Sequence, residues 1–250
     1  MIMTKIGRLG NLTRLIHGIG CPWHYLDMTL LTLPLFPLTT VLFPDGLLPL
    51  QIFELRYLTM IKKCIADGTE FGVVAQTVRN NKLNAGAEND IAAPMSQESF
   101  VSVGTSAKIM AHSAPQPGLL RIDCLGGKRF TVVQCTQQKL GLWVAQVSLI
   151  AADQAITVPL ELTDTVTALR QLIRAMTLQS NSQENTLANE GPGLPIAKPY
   201  FFDDCGWVAN RWCELIPMQT EQRLRLLALD NPLIRLELVQ DLLEAGGFLR

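Results

Sequence analysis

Four prolines, Pro34, Pro37, Pro44 and Pro49, interrupt one apolar run that reaches from Leu33 to Tyr57. Proline lacks the amide hydrogen that a central sheet ladder needs and fixes its own φ, so this run is neither a helix nor a single central strand. It must be cut into short extended pieces, "LTLPLFP" and "TTVLFPDG", whose proline ends also discourage pairing with other chains. Within "PDG", Pro44 presets φ and Gly46 is expected to supply a positive φ, which predicts a tight turn. The run closes in Phe53-Glu54-Leu55-Arg56-Tyr57. From there Leu55, Leu58, Ile61 and Ile65 recur at helical spacing, Lys62 and Lys63 fall on the other side, and Gly68 offers a left-handed stop. Glu54 stands near the helix start, where the dipole favours an acid.

The texture stays β up to about residue 153. "FGVVAQ" (Phe71–Gln76) reads as a compact strand, residues 79–99 as a long polar loop, and "SVGTSAKIMAH" as another strand. In "LLRIDCLGGKRFTVVQ", Leu120, Ile122 and Cys124 alternate with Arg121 and Asp123, and Gly126-Gly127 is expected to turn a two-residue hairpin. "LWVAQVSLIA" adds a further strand, and strands this short predict a closed or half-closed small barrel. Beyond Asp153 the spacing becomes helical. Leu162, Val166, Leu169, Leu172 and Ile173 share one face, a loop is expected over 180–199, and three shorter helices follow. Thr220 is expected to cap one of them; Asn231 as cap, Pro232 at the first position and Gly246 after the end frame the last, with Leu233, Leu236, Val239, Leu242 and Leu243 facing inward. The fold class is therefore α+β, a small mostly antiparallel barrel with one inserted helix over 29–153 and a helical bundle over 154–250. Residues 1–28 carry Lys5, Arg8 and Arg14 without an acid before Asp27 and are expected to form a poorly ordered extension, with Met28 as an alternative start.

Composition narrows the function. With 21 basic and 22 acidic residues the net charge is −1, so no global field draws in nucleic acid or anionic lipid. Basic residues are scattered and form no stripe interleaved with aromatics, which argues against RNA. No run reaches the roughly 18 apolar residues that span a bilayer. The six cysteines are far apart and mostly in apolar surroundings, as reduced, buried thiols of a cytoplasmic protein are. Their spacing offers no metal site.

These pieces together resemble the N-terminal, substrate-binding domain of the Lon protease family in its free-standing bacterial form. The resemblance rests on "LPLFPL", "VLFPDG", "LPLQIFELRY", "FGVV", "VGTSAKI" and "GGKRF" in that order, followed by the leucine-rich tail from "ELIPMQ" to "LVQDLL". It covers residues 29 to about 245 and implies a PUA-like barrel. The 180–199 loop departs from the pattern, and the sequence ends where a full Lon protease continues into its ATPase and peptidase. What the resemblance implies is a non-catalytic module that binds unfolded or exposed apolar polypeptide, in connection with proteolysis, with no cofactor.

The residue-level candidates come from the shared motifs and from the aromatics: Pro44, Phe53, Glu54, Arg56, Tyr57, Arg129, Phe130, Trp207 and Trp212. Glu54, Arg56 and Tyr57 either tie barrel loops together or touch a ligand. Trp207 and Trp212, like Phe201 and Phe202, either line a groove at the barrel–bundle junction or belong to the core. RNA or a small molecule in the barrel is the alternative occupant. A hydrolase is the third reading, and its one candidate pairing is Cys64 or Cys124 with His112. "GPGLPIAK" lacks the second glycine and the hydroxyl residue of a phosphate-cradling loop, and the adjacent acids Asp203-Asp204 read as a solvated turn.

Overall fold

The computed structural model describes residues 30–76, 100–183 and 196–249. The expected extension over 1–28, the loop at 79–99 and most of the loop at 180–199 lie outside the described residues. Six strands, β1 (Leu30–Leu38), β2 (Leu47–Ile52), β3 (Phe71–Gln76), β4 (Phe100–Gln116), β5 (Leu119–Gln137) and β6 (Trp143–Leu149), form one sheet in the order β2-β5-β4-β3-β1-β6. A further β5–β6 pairing closes five of them into a ring and leaves β2 as a flap on β5. Only β1–β3 is parallel. Helix α1 (Leu55–Asp67) is inserted between β2 and β3, and α2 (Thr163–Gln183), α3 (Cys205–Leu215), α4 (Thr220–Ala228) and α5 (Pro232–Ala245) follow the barrel. The fold class expected from sequence is the one observed.

The prolines act differently from the expectation. Pro34 and Pro37 do not end strands; β1 runs through both. It pairs with β6 over Leu30–Pro34 and then, on its other side, with β3 over Leu35–Leu38. Each half is thus an edge on one side, where a missing amide hydrogen costs no ladder bond. The Pro44 turn is present, closed by the Gly46 amide donating to the Phe43 carbonyl at 3.1 Å, but the positive φ of 60° falls on Asp45. Gly46 is needed for space, since a Cβ there would overlap Glu214 Oε1.

Gly126 and Gly127 make no hairpin either. They lie inside β5, where a Cβ on Gly126 would overlap the Phe43 carbonyl and one on Gly127 would press on Ser106 Oγ. The hairpin between β4 and β5 turns instead at Gly118, whose φ is 82°. A long strand that bends to serve two sides of a ring needs bare backbone where other chains cross it.

Three cores result. Leu35, Val74, Phe130, Ala145 and Val147 fill the ring. Phe130 occupies its centre, and the ring space exists because Gly72 and Gly104 have no side chain: a Cβ on either would lie 2.8 or 2.6 Å from the phenyl Cζ. Tyr57, Met60, Ile61 and Cys64 of α1 pack on Phe36, Phe71 and Ile122. Leu55, expected on that face, is 67% exposed because it lies at the first position of the helix. The largest core gathers Leu169, Val208, Trp212, Leu236 and Val239 in the bundle. Asn231 caps α5 as expected, whereas α4 is capped by Gln219 in a reciprocal pair with Gln222, one residue before Thr220. Ser180–Gln183 extend α2, and Ile196, buried, pairs with Gly46.

Candidate functional site at the barrel–bundle junction

Barrel and bundle meet through buried charge rather than through leucines alone. Arg129, on β5, and Arg235, on α5, are 4% and 0% exposed and converge on the one carboxylate of Asp153. Arg129 Nη2 donates to Asp153 Oδ1 at 2.9 Å, and Arg235 donates to both carboxylate oxygens. Their other hydrogen bonds go to the Leu226 and Leu227 carbonyls at the end of α4, to the Leu229 carbonyl just beyond it, to the Ala151 carbonyl and to Asn210 Oδ1. Guanidinium groups suit this task because their donors form a rigid fork, and a buried charge is tolerated when each donor finds an acceptor.

A second tie lies beside the first. Arg211, fully buried on α3, donates from Nη2 to the Pro44 carbonyl at 2.7 Å and to Glu214 Oε1 at 2.8 Å. It thereby fixes the Pro44–Gly46 turn to the bundle. Burial pushes the Glu214 carboxyl up to about 7, against the opposing pull of Arg211 and Arg223.

Between these ties opens a cleft of about 630 Å³. One wall is Pro44, Asp45 and the Gly126–Arg129 stretch of β5; the other is Phe201, Asp203, Asp204, Trp207 and Asn210; the segments 150–153 and 155–157 complete it. The second wall is held by backbone pairing, with Val158 N donating to Asp203 O at 3.0 Å and Cys205 N to Ile156 O at 2.9 Å. Asp204 is not a solvated turn residue: its Oδ1 accepts the Trp207 amide at 2.7 Å and starts α3. Phe201 is 46% exposed and stands edge-on to Trp207 at 6.3 Å between centroids.

Of the sequence candidates, Pro44, Arg129 and Trp207 line this cleft, as does Phe201. Trp207 is 4% exposed and so belongs to both cleft wall and core. Trp212 is core, its indole donating to the Thr165 carbonyl at 3.0 Å, and Phe130 is enclosed in the barrel. Phe202 is half-buried beneath the guanidinium of Arg170 at 4.0 Å. Phe53, Glu54, Arg56 and Tyr57 do not line the cleft. Tyr57 packs its ring on Phe36 at 4.1 Å, while Arg56 lies over the Tyr57 ring, pairs with Glu54 at 2.9 Å and donates to the Gly141 carbonyl at 3.1 Å. They tie α1 to the barrel rim, and Phe53 stays 73% exposed beside them.

Sequence reasoning missed Asp153, Arg211 and Arg235. Arg235 carried a signal, since it stands three after Pro232 and four before Val239 on the inner stripe of α5. A charged residue at an inward position marks a buried pair. Asp153, in an irregular segment, carried none.

The cysteine–histidine pairing does not form. Cys124 is fully buried, its thiol pushed up to about 12 by burial, whereas His112 lies exposed within β4 rather than in a loop. Burial raises the Cys64 thiol as well. Neither sulfur is near the thiolate form a nucleophile needs. Among the described residues no cluster of histidine, cysteine and carboxylate side chains is arranged to hold a metal, and no helix is long and apolar enough to cross a membrane. The buried thiols Cys64, Cys124, Cys205 and Cys213 are unbridged, and so is the exposed Cys135.

A ring of short strands with an inserted helix, welded by arginines to a helical bundle and cleft at the weld, is the architecture of the Lon amino-terminal domain. The family model described as the ATP-dependent protease La (Lon) substrate-binding domain matches residues 32–245, and the chain belongs to that family. A Lon N-terminal domain protein from Xanthomonas campestris is similar in structure, with a TM-score of 0.60 and 26% identity over 84% of this chain and 98% of that one. The N-terminal domain of the Mycobacterium avium complex Lon protease shares the fold, with a TM-score of 0.52 and 14% identity over 84% and 96% of the two chains. No curated protein matches the chain.

Proposed function

We propose that this domain binds polypeptide, and that the cleft at the barrel–bundle junction is where an unfolded or exposed apolar segment sits. Membership of a substrate-binding family supports the class of ligand. The observation that carries the location is the half-exposed Phe201 set against Trp207 in a cleft whose walls are fixed by buried arginines. Aromatic rings on a rigid frame give contact area at small entropic cost, which is what a site for varied extended segments needs. In this reading the domain delivers or retains its ligand and leaves proteolysis to other machinery.

Fluorescence polarisation with a labelled unfolded apolar peptide and with labelled single-stranded RNA, each across a salt series, tests the reading. Peptide binding that Phe201→Ala weakens about tenfold, the factor carried by 1.4 kcal/mol, is the expected result. Tight RNA binding with a steep salt dependence and no peptide signal overturns it in favour of the nucleic-acid reading.

A further inference from the structure

The charges around the cleft do not cancel. Six charged residues line it: Asp45, Lys128, Arg129, Asp153, Asp203 and Asp204. Arg129 and Arg235 share the carboxylate of Asp153, Asp230 lies 3.6 Å from Arg129 Nη2, and Asp204 is taken up in capping α3. That cap takes the Trp207 amide of α3, the Cys205 amide goes to the Ile156 carbonyl and the Val208 amide to the Asp204 carbonyl. What remains free is Asp45 and Asp203, both exposed, against the single exposed cation Lys128. Among the described residues neither carboxylate has an ion-pair partner. Both are positioned by backbone: Asp45 by the turn in which its own φ is 60°, Asp203 by its carbonyl bond from Val158. The exposed ring of Phe201 lies on the same wall as Asp203.

Resting on the reading of the cleft as a polypeptide site, we propose that it selects segments carrying a lysine or arginine, whose aliphatic stem lies along Phe201 and Trp207 and whose charged head meets Asp203 and Asp45. A basic side chain is the one natural type that supplies both halves of this contact. Its stem covers aromatic surface while the cation is drawn to ring faces and carboxylates. A leucine in the same place leaves the two acids without a partner, and a glutamate is repelled by them. Exposed ion pairs are weak and screened, so the preference is modest and falls with salt.

The experiment uses the whole chain and three matched fluorescent peptides, unstructured and apolar, that differ at one central position: arginine, norleucine or glutamate. At low salt the arginine peptide binds about tenfold tighter than the norleucine peptide, the glutamate peptide binds weakest, and the differences shrink as salt is raised. In the Asp45→Asn/Asp203→Asn double variant the arginine and norleucine peptides bind alike. Asp203→Lys reverses the order towards glutamate. Both changes are at exposed positions, and an unshifted thermal transition shows that they fold. Equal affinity for all three peptides in the wild type overturns the basic anchor and leaves the polypeptide site standing. An arginine preference that survives the double variant likewise overturns it. Binding of no peptide, or binding that Phe201→Ala leaves unchanged, overturns the site and the anchor with it.

Discussion

The two ends of the barrel are built by different means. At the α1 end, Phe36, Phe71, Ile122 and the inner face of α1 form an apolar core, and the polar residues there, Glu54 and Arg56, sit at the rim in a half-solvated pair. At the bundle end the contact is made by fully or nearly buried arginines: Arg129 and Arg235 each bind several acceptors, and Arg211 binds the Pro44 carbonyl and Glu214 through Nη2. The α1 end is made mostly from one stretch of chain, residues 33–76, with Ala107, Leu120, Ile122 and Cys124 completing its core, and it carries much of the family's recognisable motif. The bundle end assembles residues 44, 129, 153, 211 and 235. What distinguishes them is that apolar packing fills the space it joins, whereas forked polar ties hold two walls apart at a fixed distance and leave a cleft between them. The cleft is composed of residues far apart in the chain, and two of the recognisable motifs, "VLFPDG" and "GGKRF", supply one of its walls.

The contrast breaks first at Asp153. Asp153→Ala leaves Arg129 and Arg235 buried without their shared partner, which costs about 3–5 kcal/mol and lowers the midpoint of thermal unfolding by roughly 10 °C. A drop no larger than that of an exposed substitution shows that the weld is dispensable. Next is Glu214, whose carboxyl is raised from 4.5 to about 7. Between those values the folded protein holds a proton that the unfolded chain has released. The associated stability is full below pH 4.5 and is lost as pH rises through 7, at most on the order of 3 kcal/mol. Urea unfolding across that range is expected to show the loss in the wild type, and Glu214→Gln is expected to flatten it. Gly126→Ala pushes a methyl group into the Phe43 carbonyl and is expected to cost about 1–3 kcal/mol by overpacking, measured by the same unfolding curves. At the α1 end the effects are smaller. Arg56→Ala removes one carbonyl bond, a rim ion pair and a stacked guanidinium, for about 1 kcal/mol. Phe53→Ala is expected to change neither stability nor peptide affinity, where Phe201→Ala changes affinity alone.

Much of the fold was legible because it is written locally. The period of α1, its stop at Gly68, the Asn231-Pro232 start of α5 and the strand at Phe71–Gln76 are each decided by neighbours in sequence. Failures came where distant backbone decides. Gly126-Gly127 looks like a turn to any local rule, but its lack of side chains serves the crossing of the Pro44 turn and of Ser106. Pro34 and Pro37 look like strand ends until β1 is seen to change partners between them. The cleft was legible only in part. Its place at the junction and the aromatics near it follow from the order of barrel and bundle. Asp153 and Asp45, by contrast, take their roles from arginines or a cleft wall that sequence spacing does not place beside them.

Hydrogen–deuterium exchange with and without a saturating unfolded peptide tests the central claim most directly, because it reports where the ligand sits without disturbing any residue. Amides in 126–129, 151–157 and 203–207 are expected to slow on binding, while those in 53–56 and 139–141 stay unchanged. Protection confined to 53–56 and 139–141, with the junction amides unaltered, places the binding surface at the α1 end and contradicts the account.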